Sequence, residues 1–302
     1  MATNVLGLKT FTASDPVDYN DVNDNYVKID NGVKTAMQGR AAHNLLDNSD
    51  FRNPVNQRGA ITYEGAGYGI DRWKCRVVLQ TMEVRSSDIT ITATGGSYAG
   101  ILQKVENMSK LAGKTVTFAA KIYSNVAPEL VFFDASGQTL ALKIGITGAT
   151  QTIILTYDVP SDATADSVVP TILLRTSASG DYMRIYWAAL YEGAYTVDTL
   201  PAYVPKGYAA ELAECMRYYQ VIPYDLSVYN VATDSAYPSR YPILFPQRMR
   251  ITPTATLNES WNSNVKTSET SYVSANGLCF TVSANSTGYT EWHGSITLSA
   301  DL

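Results

Sequence analysis

Residues 44–74 read NLLDNSDFRNPVNQRGAITYEGAGYGIDRWK. The stretch opens on the apolar pair Leu45 and Leu46. It passes through a turn cluster, Asp47, Asn48, Ser49 and Asp50, to a large anchor at Phe51. A loop with Pro54, Gly59, Gly65, Gly67 and Gly69 then delivers Trp73. Asn, Asp, Gly and Pro all favour turn geometry over regular ladders, so the reading is an edge strand followed by a long ordered loop. Phe51 and Trp73 anchor the loop on either side, and Asp71-Arg72 reads as a local ion pair beside a core Trp.

Downstream, strand signals succeed one another. Segments 75–85, 88–94, 114–123, 129–136, 138–144, 151–159, 167–175 and 181–193 are rich in β-branched and aromatic residues. Turn signals at Gly95-Gly96, Gly113, Ser136-Gly137, Gly148 and Ser179-Gly180 separate them. No helix-length segment intervenes, which predicts antiparallel pairing, and the count fits an eight-strand jelly roll over residues 44–207. Alternation such as Val116, Phe118 and Ala120 sets one face inward and one outward. Trp73, directly before a strand, and Trp187, inside one, are expected to be buried.

Upstream, Asp15 fits a helix N-cap with Pro16 at the first helical position. Tyr19, Val22, Tyr26, Ile29, Val33 and Ala36 then recur at spacings of three and four, a heptad seam. An amphipathic helix on a globular core would show the same residues. The narrow stripe and the Asp, Asn and Lys facing outward favour a coiled coil, while Asn31-Gly32 and a length of about three heptads weaken it. Residues 1–43 are read as an oligomerisation and attachment segment. His43 is a lone exposed His with no assigned role.

Residues 209–220 form the one clear helix after the leader. Leu212, Cys215, Met216 and Tyr219 lie on one face, with Glu211, Glu214 and Arg217 on the other. The rest of the third segment, 208–302, is rich in Tyr, Ser, Thr and Asn, with strand signals at 241–245, 251–258, 278–284 and 293–302. A domain this small needs support from the jelly roll or from sister chains. The fold class is therefore mainly β: an antiparallel jelly-roll sandwich with an N-terminal oligomerising helix and a small C-terminal β domain.

The whole chain has 302 residues, 45% of them hydrophobic, and only 17% charged against an average of about 25%. With 21 Tyr, 7 Phe and 2 His, it has the make-up of a β-rich extracellular or virion protein with amphipathic aromatic surfaces. A net charge of −5 argues against a nucleic-acid footprint. Cys75, Cys215 and Cys279 are odd in number and far apart, so neither a disulfide framework nor a zinc spacing follows. No signal peptide and no membrane-spanning segment is expected.

Several short motifs resemble bacteriophage tail-fibre proteins that carry a carbohydrate-binding-module-like jelly roll. These are Asn44-Leu45-Leu46, Asn48 to Phe51, Gln57-Arg58-Gly59 and Asp71-Arg72-Trp73 in that order, then Leu111 to Thr117, Ala189 to Gly193 and Pro201-Ala202-Tyr203. Glu211-Leu212, Cys215 and Arg217-Tyr218-Tyr219 resemble the link to the distal part of such fibres, and Phe245 to Thr254 their C-terminal domains. Asp15-Pro16 and the Asn/Asp-rich run to Asp30 resemble their N-terminal portion. Asn56 stands where that family has an aromatic. The resemblance implies a homotrimer in the virion, made in the host bacterial cytoplasm. It implies contact with other virion proteins through the N-terminus and binding to a bacterial surface glycan.

Two other readings stand beside this one: a non-adhesive head or neck fibre, and a glycan-degrading tailspike. No enzyme is expected, because no phosphate loop, metal motif or nucleophile elbow is present and no repeat of a β-helix is visible. Glu291 and His293 share a face by strand alternation alone. No cofactor and no metal is expected; by analogy with carbohydrate-binding modules Asn48 and Asp50 could approach calcium, but Arg52 stands where an acid belongs. Glycan contact is assigned to the C-terminal segment, to Trp261, Tyr237, Tyr241, Tyr272 and Trp292. Trp261 leads because the polar run Asn258 to Asn264 reads as a loop. The competing assignment for each ring is a small core or a trimer interface.

Overall fold

The computed structural model describes residues 20, 22–29, 43–164, 167–176, 178–229, 232–234 and 237–302. The first sandwich is built from two six-stranded antiparallel sheets. One runs β1 (Thr62–Glu64), β4 (Gln80–Val84), β5 (Ile89–Ala93), β12 (Tyr182–Glu192), β7 (Thr115–Ser124) and β10 (Gln151–Asp158). The other runs β2 (Gly67–Tyr68), β3 (Lys74–Cys75), β6 (Ala99–Leu102), β11 (Val169–Leu174), β8 (Pro128–Phe133) and β9 (Thr139–Ile144). From β5 to β12 the strands order as 5-12-7-10 against 6-11-8-9, which is the wrap of an eight-strand jelly roll. β1 and β4 extend one sheet, and β2 and β3 the other.

The expected count of eight holds with different members. The run 75–85, expected as one strand, splits into β3 and β4, which lie in opposite sheets. Cys75 and Met82 both enter the same core from those two sides, so the chain must cross between them. β6 supplies the eighth strand instead; its short Ala-Gly-Ile-Leu run carries little β-branched signal. Gly100 in β6 lies so close to β11 that a Cβ there would sit 2.3 Å from the Ile172 carbonyl oxygen.

The core between the sheets includes Leu46, Phe51, Trp73, Phe118, Phe132 and Ile185, all fully buried. Trp187 departs from expectation. It lies in β12 but is half-buried, because a bulge between Ile185 and Trp187 shifts the strand's alternation.

Residues 44–51 are not a regular strand. β5 pairs only with Tyr182–Ile185 of β12. Beyond that point residues 45–51 take over the edge: Leu45 N donates to Leu190 O, Ala188 N to Ser49 O and Phe51 N to Tyr186 O. Asn48, at φ 51°, bends this run out of a continuous ladder.

Asp71 and Arg72 do not pair with each other. Asp71 meets Arg58 at 2.7 Å and Arg72 meets Asp47 at 2.9 Å. Sequence neighbours point apart, and each finds its partner across the loop.

Helix α1 (Tyr208–Cys215) is shorter than the sequence predicts. Its last turn tightens through Arg217 N to Glu214 O and Tyr218 N to Cys215 O. Tyr219, expected on the helix, opens β13 (Tyr219–Tyr229). Glu211, expected outward, is buried, and its carboxylate accepts a 2.6 Å bond from Asn48 N.

The second sandwich has two three-stranded sheets: β13, β18 (Tyr289–Ser299) and β15 (Thr254–Ser263), facing β14 (Ser239–Leu244), β17 (Gly277–Ala284) and β16 (Val265–Ser271). The run Asn258 to Ser263, expected as a loop, is part of β15, with a bulge between Glu259 and Trp261. Polar side chains conceal the strand there because β15 is an edge exposed on one face. Phe280 and Trp292 centre a compact core, with ring centroids 5.0 Å apart.

The small domain leans on the jelly roll, as its size demands. Arg58 Nη2 reaches Asp301 at 2.6 Å, Gln57 Nε2 donates to Tyr219 O at 2.7 Å, and the Tyr68 hydroxyl donates to Leu302 O. Glu106 gathers Arg217 at 3.0 Å and the Tyr218 hydroxyl at 2.7 Å.

Of the predicted seam, Val22, Tyr26 and Ile29 lie on a helical stretch at 22–29, with Tyr26 68% exposed. Tyr19, Val33 and Ala36 lie outside the described residues. Among the described residues no helix is long and apolar enough to cross a membrane.

Candidate functional site: an aromatic face on the first sheet

The five rings assigned to glycan contact from sequence do not converge. Trp292 is fully buried in the second core and presents no face to a solute, which corrects its assignment; strand alternation in β18 turns it inward. Tyr241 is half-buried and packs against the same core. Tyr237 and Tyr272 are exposed, and the Arg240 guanidinium lies 5.2 Å from the Tyr272 ring. Trp261 is 50% exposed on the edge strand β15, 5.2 Å from the His293 ring. Trp261 and Tyr241 sit on opposite sheets of that sandwich.

A cluster of half-buried aromatics lies elsewhere, on the outer face of the jelly roll's first sheet. Ile122, Met183 and Ile185 point into the core, so alternation turns Lys121, Tyr123, Tyr182 and Arg184 outward. Tyr123 is opposite Arg184 across the β7–β12 ladder. The Tyr123 and Tyr182 rings are 6.1 Å apart, and the Arg184 guanidinium lies 5.6 Å from Tyr182 and 6.0 Å from Tyr123.

The bulge after Ile185 inserts Tyr186, so two consecutive aromatics, Tyr186 and Trp187, avoid the core. Lys121 Nζ lies 6.0 Å from the Tyr186 ring. Trp187 stacks on Tyr203 at 4.8 Å with the planes 5° from parallel. The Tyr203 hydroxyl is in turn 3.3 Å from Ser49 Oγ.

From Tyr182 to Trp187 the row spans on the order of 17 Å at ~3.3 Å per residue. Its floor is rigid, since β12 is paired on both sides. At one end Asn125 accepts from Tyr182 N at 2.7 Å and donates to Asp181 at 3.0 Å. Arg184 Nε is enclosed without a hydrogen-bond partner among the described residues.

Sequence reading missed this face because its rings are spread over β7 and β12, about 60 positions apart, and their convergence is a matter of register. The local signal was present in β12, where Tyr182, Tyr186 and Trp187 crowd one strand.

Other groups with chemical potential are engaged in structure. His293 Nδ1 is 3.0 Å from Asp225, while Ser227 bonds Glu291 at 3.2 Å. The Asn48 side chain is consumed by Val55 and by Asp71 O, and Asp50 holds Arg52 at 2.7 Å, so neither side chain points to a shared ligand. Burial pushes Asp71 up to about 6 and Glu211 up to about 7, and both stand at the junction of the sandwiches. Burial likewise raises the Cys75 thiol to about 11, leaving it inert as a nucleophile.

No family model matches the chain, and no curated protein matches it. Among solved structures, the CBM22-2 xylan-binding domain from Paenibacillus barcinonensis Xyn10C is similar at 14% identity with a TM-score of 0.34, over 49% of this chain and 99% of that one. A CBM4 structure is similar at 18% identity with a TM-score of 0.33, over 49% and 99%. PfGH50B is similar at 11% identity with a TM-score of 0.31; the match covers 41% of this chain and 23% of the length of that one.

Proposed function

We propose that this protein binds glycans, and that the row Tyr123, Tyr182, Tyr186 and Trp187 around Arg184 carries the ligand. The observation behind this is the geometry of that face: amphipathic rings held on a rigid sheet, beside two cations, Lys121 and Arg184. Pyranose rings present apolar C–H faces rimmed by hydroxyls. Tyr and Trp offer a matching apolar surface with a polar handle and little entropy to lose.

The finer reading is a homotrimeric tail fibre of a bacteriophage virion, joined to other virion proteins through its N-terminal segment and recognising a bacterial surface glycan. It is supported by the ordered motifs from Asn44 to Tyr219 and by the exposed apolar positions Tyr26 and Ile29 on the leader helix. Trp261 is a second candidate contact, because the edge strand leaves its ring half exposed.

A glycan array probed with the soluble protein and with a Tyr182→Ala, Tyr186→Ala double variant tests the assignment. Signals that vanish in the double variant while its melting temperature holds support it. Equal array profiles for the two proteins overturn it.

A further inference from the structure

The outer face of the second sheet carries a surface of different chemistry. Alternation turns Val131, Phe133 and Leu173 away from the main core, and with Tyr98 they form a small cluster of their own. Two adjoining hollows of about 390 and 210 Å³ cross this face and share Arg76, Phe133 and Gly137. Lys74 and Lys104 line one hollow, and Arg175 lines the other. The chain is net negative at −5, yet four cations and a single carboxylate, Asp134, line this groove. Asp134 is occupied by its own turn, accepting from Ser136 Oγ at 2.7 Å and from Gln138 N at 2.8 Å. Arg175 is held by Glu129 at 3.1 Å.

Arg76 stands where the hollows join. Its guanidinium carbon lies 3.7 Å over the Phe133 ring and 5.5 Å from Tyr98. Lys74 lies 5.9 Å from Tyr68, and neither Lys74 nor Arg76 has a carboxylate partner among the described residues. A guanidinium laid flat on a ring keeps its N–H edges free for a planar acceptor, and its conformational entropy is already spent.

We propose that this groove binds a polysaccharide bearing carboxylates, a uronate polymer. Arg76 receives a carboxylate through its paired N–H groups, and Lys74 adds a point charge along the chain. The two hollows adjoin at Arg76, so the lined surface runs on from one to the other, as a polymer requires. Its walls supply apolar contact from Leu102 and Val169 on one side and from Leu173 and Tyr98 on the other. The site lies on the sheet opposite the tyrosine row and stands or falls separately from it.

The test is calorimetric titration of the full chain with oligogalacturonate at low ionic strength, against a neutral xylo-oligosaccharide and an oligo(glycerol phosphate). Oligogalacturonate is expected to bind, and more weakly as salt rises. Arg76→Ala is expected to weaken it roughly tenfold, with a smaller loss for Arg76→Lys, which keeps the charge but not the paired bonds. Lys74 is exposed and has no carboxylate partner among the described residues, so Lys74→Ala reports on binding even if Arg76→Ala disturbs the packing over Phe133. Tyr182→Ala is expected to leave the titration unchanged. No binding of oligogalacturonate, or unchanged binding in both Lys74→Ala and Arg76→Lys, overturns the site. Tighter binding of the glycerol phosphate oligomer overturns the choice of carboxylate.

Discussion

The indole Nε1 of Trp73 donates to the main-chain carbonyl of Asn48 at 2.8 Å. That bond joins the two ends of the segment that organises the chain. Phe51 stands edge-on to the Trp73 ring at 5.0 Å, so the two anchors hold the loop closed at a single point. Asn48 sits in the left-handed region, and its side chain bonds Val55 N and O and Asp71 O, replacing the ladder that the loop lacks.

Truncating Trp73 to Ala removes a fully buried side chain and leaves the Asn48 carbonyl without that donor. The expected loss is roughly 3 to 5 kcal/mol in denaturant unfolding. A Trp73→Ala protein of native stability that fails to bind glycan would place this ring in an exposed site instead.

Trp292→Ala is expected to cost a similar amount, roughly 3 to 5 kcal/mol, because the ring fills the second core. Trp261→Ala, on an exposed edge, is expected to leave the melting temperature unchanged. Differential scanning calorimetry separates the two, and equal effects would contradict the burial described for them.

Stability is expected to fall as pH rises from about 4 to about 7. Burial sets the folded values of Asp71 near 6 and Glu211 near 7, against about 3.9 and about 4.3 in the unfolded chain. Between those limits the folded protein holds protons that the unfolded chain has released, so raising the pH favours unfolding. Asp301 is also raised by burial and has the same sign, whereas Arg72 and Lys206 outweigh burial and hold Asp47 low, outside this window. Glu211→Gln keeps an acceptor for Asn48 N and is expected to flatten the melting-temperature profile across that range. An unchanged slope in that variant would show that Glu211 does not titrate there.

Light scattering of the full chain is expected to give three times 32.9 kDa. A chain beginning at Asn44 is expected to fold and to scatter as a monomer, since the first sandwich takes its core from Leu46 onward. A trimer that survives this deletion would move the contact from the leader to the sandwiches.

Much of the architecture was legible because strand and turn chemistry are local. Val116, Phe118 and Ala120 announce an inward face by alternation alone, and Ser136-Gly137 or Ser179-Gly180 announce turns by their backbone freedom. What the sequence by itself determined was the β class, the antiparallel pairing and the burial of Trp73. Tertiary structure alone decided how residues 75–85 divide between two sheets, because Cys75 and Met82 reach one core and only that shared core assigns the two halves to opposite sides. The same holds for Glu211, which looks solvent-facing on its helix yet is buried, accepting the Asn48 N–H. It holds also for the tyrosine row, where Tyr123 and Arg184 meet through a ladder register, and for the pair Tyr186 and Trp187, which a single bulged residue turns the same way. Propensity and pattern act over a few residues, whereas register, bulges and long-range ion pairs are settled only when distant segments compete for one core.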